Sequence, residues 1–125
     1  MVKTLLSILI SLLLIAGVAV FETWYVDKTF GEFSAQLETL YEKTEDESAT
    51  RGDAEAVRVS WNEKKKVLHV WVPHNDISYV DYWLSEGLSL IETGQYDDAL
   101  SKLEVLKEIC RNIPAAYAFS FENIF

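Results

Sequence analysis

The chain has 125 residues, half of them hydrophobic, with 20 acidic against 11 basic side chains and a single cysteine. An acidic excess opposes phosphate backbones, so nucleic-acid binding is a poor reading. One cysteine makes no intrachain disulfide, and no Cys/His spacing supports a zinc site.

Leu5 to Phe21, LLSILISLLLIAGVAVF, carries no charge. Extended as a helix to Val26 it has about 20 to 22 residues at ~1.5 Å each, enough for a hydrocarbon core of ~30 Å. Lys3 and the amino terminus lie on one flank, and Glu22 and Asp27 precede Lys28 on the other. The positive flank predicts a cytoplasmic N-terminus and an extracytoplasmic body, with Trp24 and Tyr25 in the outer aromatic belt. A cleaved signal peptide competes, since Gly17-Val18-Ala19 offers small residues at a cleavage site. The run nevertheless exceeds an ordinary signal core of ~7 to 15 residues, which favours retention. Residues 1–26 are therefore read as the anchor and 27–125 as one domain, long enough for one core. All 20 acidic residues follow the apolar run with all basic residues but Lys3, leaving a body charge of about −10.

After Asp27, Phe30, Phe33, Leu37, Leu40 and Tyr41 form a helical stripe, and no proline separates them from the anchor. The membrane helix is predicted to run straight into the first helix of a bundle, through Gly31. Glu45 to Gly52 reads as a loop. A second helix, capped by Asp53, presents Val57, Trp61, Leu68 and Trp71 or Val72 and ends at Pro73. Leu68-His69-Val70-Trp71-Val72 has the composition of a short strand but lacks a partner, so the helical reading is kept. Asn75 or Asp76 caps a third helix with Ile77, Val80, Trp83, Leu84, Leu88 and Ile91 inward, stopped by Gly94. The fourth shows Ala99, Leu103, Leu106, Cys110 and Ile113, and Pro114 closes it. Ala115 to Phe125 alternates at Tyr117, Phe119 and Phe121 and is expected as an extended apolar tail, packed on the bundle or docked on a partner. The fold expected is all-α: a transmembrane helix continuing into an antiparallel bundle of about four helices.

The chemistry-bearing residues are sparse. His69, His74 and Asp76 flank a proline break that gives them no common face, so a metal reading is weak. Cys110 falls on the core face and reads as a buried structural thiol. Trp61, Trp71, Tyr79, Tyr82, Trp83 and Tyr96 could line a groove for a sugar or an apolar ligand, but at helical spacing read first as core. Lys64, Lys65 and Lys66 read as a solvated face, with lipid headgroups the alternative. No nucleotide loop, serine elbow or catalytic acid pair is found. No catalytic, cofactor-binding or metal-ligating residue is assigned, and no enzymatic activity is expected.

Gly94-Gln95-Tyr96-Asp97-Asp98-Ala99-Leu100, with Pro114 later, resembles the turn and second helix of a tetratricopeptide repeat. The resemblance covers one hairpin, with no second copy to stack on. Over nearly its full length the chain resembles a family of small bacterial membrane-anchored proteins catalogued as a domain of unknown function. The residues carrying that resemblance are the anchor, Tyr41-Glu42-Lys43-Thr44, Trp61-Asn62-Glu63-Lys64-Lys65-Lys66, Leu68-His69-Val70, Val72-Pro73-His74-Asn75, Trp83-Leu84-Ser85-Glu86 and Phe121-Glu122-Asn123-Ile124-Phe125. The resemblance implies a Gram-positive source and a one-pass anchor, and brings no catalytic residues. The function expected is that of a tethered, non-catalytic module for another membrane or envelope protein. An envelope sensor using the aromatic groove is the alternative, and a metal-assisted hydrolase at His69 and His74 a third.

Overall fold

The computed structural model describes residues 1–124, with side chains through Ala116. Four helices follow one another: α1 (Val2–Glu45), α2 (Arg51–Leu68), α3 (His74–Glu92) and α4 (Tyr96–Ile124). No strand occurs among the described residues.

α1 is uninterrupted for 44 residues. It passes through Gly31, where loss of helix propensity is only about 1 kcal/mol and no side chain crowds the missing Cβ. Its two halves have different surroundings. Leu5, Leu9, Leu13 and the other large side chains of the apolar run are exposed, whereas Val26, Phe30, Phe33, Leu37 and Leu40 are buried against the other helices. The inward stripe begins one residue before Asp27. It also includes Thr29 and Thr44, whose hydroxyls donate to the carbonyls of Tyr25 and Leu40, both at 2.7 Å, and so enter the core satisfied.

Two helix ends share one device. Beyond α1, Ser48 N–H reaches the Lys43 carbonyl (2.8 Å) and Glu47 N–H the Thr44 carbonyl (3.1 Å), with Glu47 at φ +55. Beyond α3, Gln95 N–H reaches Leu90 (2.8 Å) and Gly94 N–H reaches Ile91 (3.1 Å), with Gly94 at φ +76. Both are Schellman closures, and only the second has the glycine the left-handed residue favours. α2 is capped by Thr50 rather than Asp53. The Thr50 hydroxyl accepts from Asp53 N–H (3.1 Å), and the Asp53 carboxylate accepts from Thr50 N–H (2.9 Å), a reciprocal capping box.

α2 ends at Leu68, short of the expected stop at Pro73. Residues 69–72 form neither strand nor helix but a tightened turn. Val70 and Trp71 N–H bond three residues back, and Val72 N–H reaches Leu68 at 2.8 Å. Proline disfavours helical backbone at the preceding residue, so the chain turns before it, burying Val72 and half-burying Trp71. Pro73 itself, not Asn75 or Asp76, is the N-cap of α3, its carbonyl accepting from Asp76 and Ile77.

The C-terminal segment departs most from expectation. α4 does not stop at Pro114 but continues as helix to Ile124, so Ala115 to Ile124 is not an extended tail; Phe125 lies outside the described residues. Proline cannot donate to the Cys110 carbonyl, which costs one helical bond, but Ala115, Ala116 and Ala118 are the strongest helix formers and carry the helix on.

The helices pack in a closed antiparallel ring, α1 against α2 and α4, and α3 against α2 and α4. Trp61 sits in the centre beside Phe33 (ring centroids 5.0 Å) and Phe30 (6.2 Å). Each such side chain withdrawn from water is worth about 1.5–3 kcal/mol. Gly87 of α3 lies against α4, where an added Cβ would sit 3.2 Å from Leu103 Cδ2.

Candidate functional site

The register between helices follows from their polar cross-links. Lys43 meets Asp53 (3.1 Å), Gln36 meets Ser60 (2.6 Å) and Glu32 meets Lys64 (3.6 Å), so steps down α1 match equal steps up α2. At that register Leu68 lies level with Lys28, and the α2–α3 turn with the stretch Tyr25 to Lys28. α4 descends the same way. Lys107 bonds Glu38 (2.9 Å) and lies 4.0 Å above the Tyr41 ring, while Pro114 and Ala115 border a groove with Asp27, Phe30 and Gly31. The end of the bundle nearest the apolar run is therefore built from the α2–α3 turn and the last turns of α4.

The six aromatics do not form one groove. Trp61 is core, and Tyr96 is half-buried with its hydroxyl donating to the Ala49 carbonyl at 3.2 Å. Trp71 packs on the core at the α2–α3 turn. Tyr79, Tyr82 and Trp83 do come together: with Asn75 and Ser78 they border an open depression on the outer side of α3. Tyr82 stands edge-on to Trp83 (5.5 Å, 90°), whose ring also carries Lys102 Nζ at 5.1 Å. Tyr79 and Tyr82 remain 60% and 59% exposed, with Ser78, Ser85, Glu86 and Ser89 along the same side of the helix.

His69 and His74 are brought side by side, which their spacing did not reveal. The turn at Pro73 stacks the two imidazoles 5.9 Å apart at 21°, and His74 Nε2 lies 3.4 Å from Ser78 Oγ. Among the described residues no group of three or more His, Cys, Asp or Glu is arranged to hold a metal.

Cys110 is buried on α4, and burial pushes its thiol up to about 12. It is a core residue with negligible thiolate at neutral pH. The three lysines of α2 each have an acidic neighbour: Lys64 with Glu32, Lys65 with Asp81 (3.3 Å) and Lys66 with Glu63 (3.2 Å).

Sequence reasoning missed the charged pins between helices. Arg58 joins Glu55 (2.7 Å) to Glu92 (3.2 Å) across α2 and α3, and hydrogen bonding to these carboxylates raises its pKa. Lys107 is only 12% exposed between Glu38 and Glu104, and its bond to Glu38 holds its ammonium above the usual lysine range. Charges on core-flanking helical positions were the available signal, but their partners lie 34 and 69 residues away.

Neither the curated proteins nor the solved structures include a match to this chain. Residues 20–124 match a family described as Domain of unknown function (DUF4363). That match takes in the last residues of the apolar run, the bundle part of α1 and the whole of α2, α3 and α4, and the chain belongs to this family.

Proposed function

We propose that the protein is a single-pass, membrane-tethered interaction module with its N-terminus in the cytoplasm and its bundle outside, in keeping with a Gram-positive envelope. Its task is to hold a recognition surface for another membrane or envelope protein at a set height above the bilayer. The observation supporting this is the continuity of α1, which is bare and apolar in its first half and the core of the bundle in its second. A stalk without a flexible joint confines the bundle and orients it, raising effective concentration toward a partner in the same surface. The outer side of α3 is the surface we assign to recognition. Exposed tyrosines supply large contact area at low entropy cost and dominate binding hot spots.

The test is photocrosslinking in native membranes, with a photoreactive residue at Tyr82 or, as control, at the exposed Val59 of α2. One discrete adduct with an envelope protein from position 82, absent from position 59 and lost on Tyr79→Glu, is expected. Equal or absent adducts at both positions overturn the assignment. A tryptophan-fluorescence change with small sugars in the latter case favours the ligand-sensing alternative at Tyr79, Tyr82 and Trp83.

A further inference from the structure

The end of the bundle facing the apolar run leaves hydrophobic side chains uncovered. Val70, at the tip of the α2–α3 turn, is 69% exposed, Val67 is also exposed, and Trp71 is half-buried beside them. The cross-links of α1 with α2 set this turn level with Tyr25 to Lys28, where the apolar run gives way to charge. At ~1.5 Å per residue that is about 6–10 Å beyond Phe21, against an interfacial layer of roughly 5–7 Å a side. Because α1 is helical throughout, the bundle has no linker with which to stand away from the surface.

Two further features fall at the same level. Trp24 is exposed with Lys28 Nζ 5.0 Å over its ring, an arrangement suited to headgroups. Lys28, Lys64, Lys65 and Lys66 also lie within about two turns of this end, Lys64, Lys65 and Lys66 each paired with a carboxylate, so it is the apolar side chains and Trp24 that suit this end to lipid. The backbone of α4 also runs past Ala115 to Ile124 in the direction of the anchor, through a stretch whose one charged side chain is Glu122.

We propose that this end is a lipid-seating surface: Val67 of the last turn of α2 and Val70 and Trp71 of the α2–α3 turn rest in the headgroup layer of the bilayer that α1 crosses. The seat fixes the tilt of the bundle as α1 fixes its height, and so points Tyr79 and Tyr82 sideways along the membrane. The proposal rests on the spanning reading of α1.

The test uses the full chain in nanodiscs of phosphatidylethanolamine and phosphatidylglycerol, one copy per disc. A nitroxide label is placed singly at Val70→Cys, at Leu13→Cys within the apolar run, and at Ser48→Cys in the opposite loop. Cys110 is left in place, and the unsubstituted chain controls for its labelling. Collisions with oxygen and with a water-soluble nickel chelate report depth. The label at position 70 is expected to be several-fold less accessible to nickel than that at 48, and more accessible to oxygen. A position 70 as nickel-accessible as 48, with 13 deep in lipid, overturns the seat and leaves the span intact. Position 13 in water overturns both. Shielding of 70 from both reagents shows protein covering the turn and overturns the proposal.

Discussion

Trp61 donates its indole N–H to Asp81 Oδ1 at 2.6 Å, a polar link from the centre of the bundle to its surface on α3. Trp61 is 1% exposed, so without Asp81 its donor would be stranded. Asp81→Ala is expected to destabilise by about 1–3 kcal/mol. In a Trp61→Phe background the same change should cost markedly less, which a double-mutant cycle by urea unfolding of the detergent-solubilised chain measures.

The capping box of α2 makes stability pH-dependent. The Asp53 carboxyl is held below the usual carboxylate range, first by the Thr50 backbone N–H and then by Lys43. A depressed folded pKa means stability present above the ordinary value near ~3.9 and lost as pH falls through the lower folded value. Thr50→Ala is expected to cost about 1 kcal/mol. Asp53→Asn should flatten the acid limb of a stability-versus-pH curve below about pH 4.

The two Schellman closures predict opposite results for glycine. Glu47→Gly relieves a non-glycine residue at φ +55 and should stabilise by about 1 kcal/mol. Gly94→Ala imposes that strain at φ +76 and should destabilise by a similar amount. Thermal melts followed by circular dichroism check both.

Helical glycines likewise divide by surroundings. Gly31 has open space around its Cβ position, and Gly31→Ala is expected to raise stability by up to about 1 kcal/mol. Gly87 faces the buried Leu103, so Gly87→Leu should cost about 1–3 kcal/mol or more by forcing α3 from α4. Urea midpoints of the two variants should move in opposite directions.

The Cys110 thiol, pushed up to about 12, should be unreactive toward a maleimide at pH 7.5 in the folded chain and modified promptly in guanidinium. Labelling of the native protein at the rate of the unfolded one would contradict its burial.

The sequence by itself determined the parts whose cause is local. An uncharged run of spanning length, helical stripes at Phe30 to Leu40, Ile77 to Ile91 and Ala99 to Cys110, and the glycine stop at Gly94 each depend on residues within a few turns, and each stands in the structure. Tertiary structure decided what local pattern leaves open. Pro114 is a stop signal with a known cost, yet α4 passes it to Ile124, with Pro114 and Ala115 set beside Asp27, Phe30 and Gly31 of α1. The turn before Pro73 is one of several backbones its neighbours allow, and burial of Val72 selects it, bringing His69 and His74 together as a consequence. The aromatics all read first as core, yet the bundle put Trp61 of α2 in the core and left Tyr79 and Tyr82 of α3 on the surface. Spacing defines a face, and only packing against α2 and α4 decides which edge of that face stays in water.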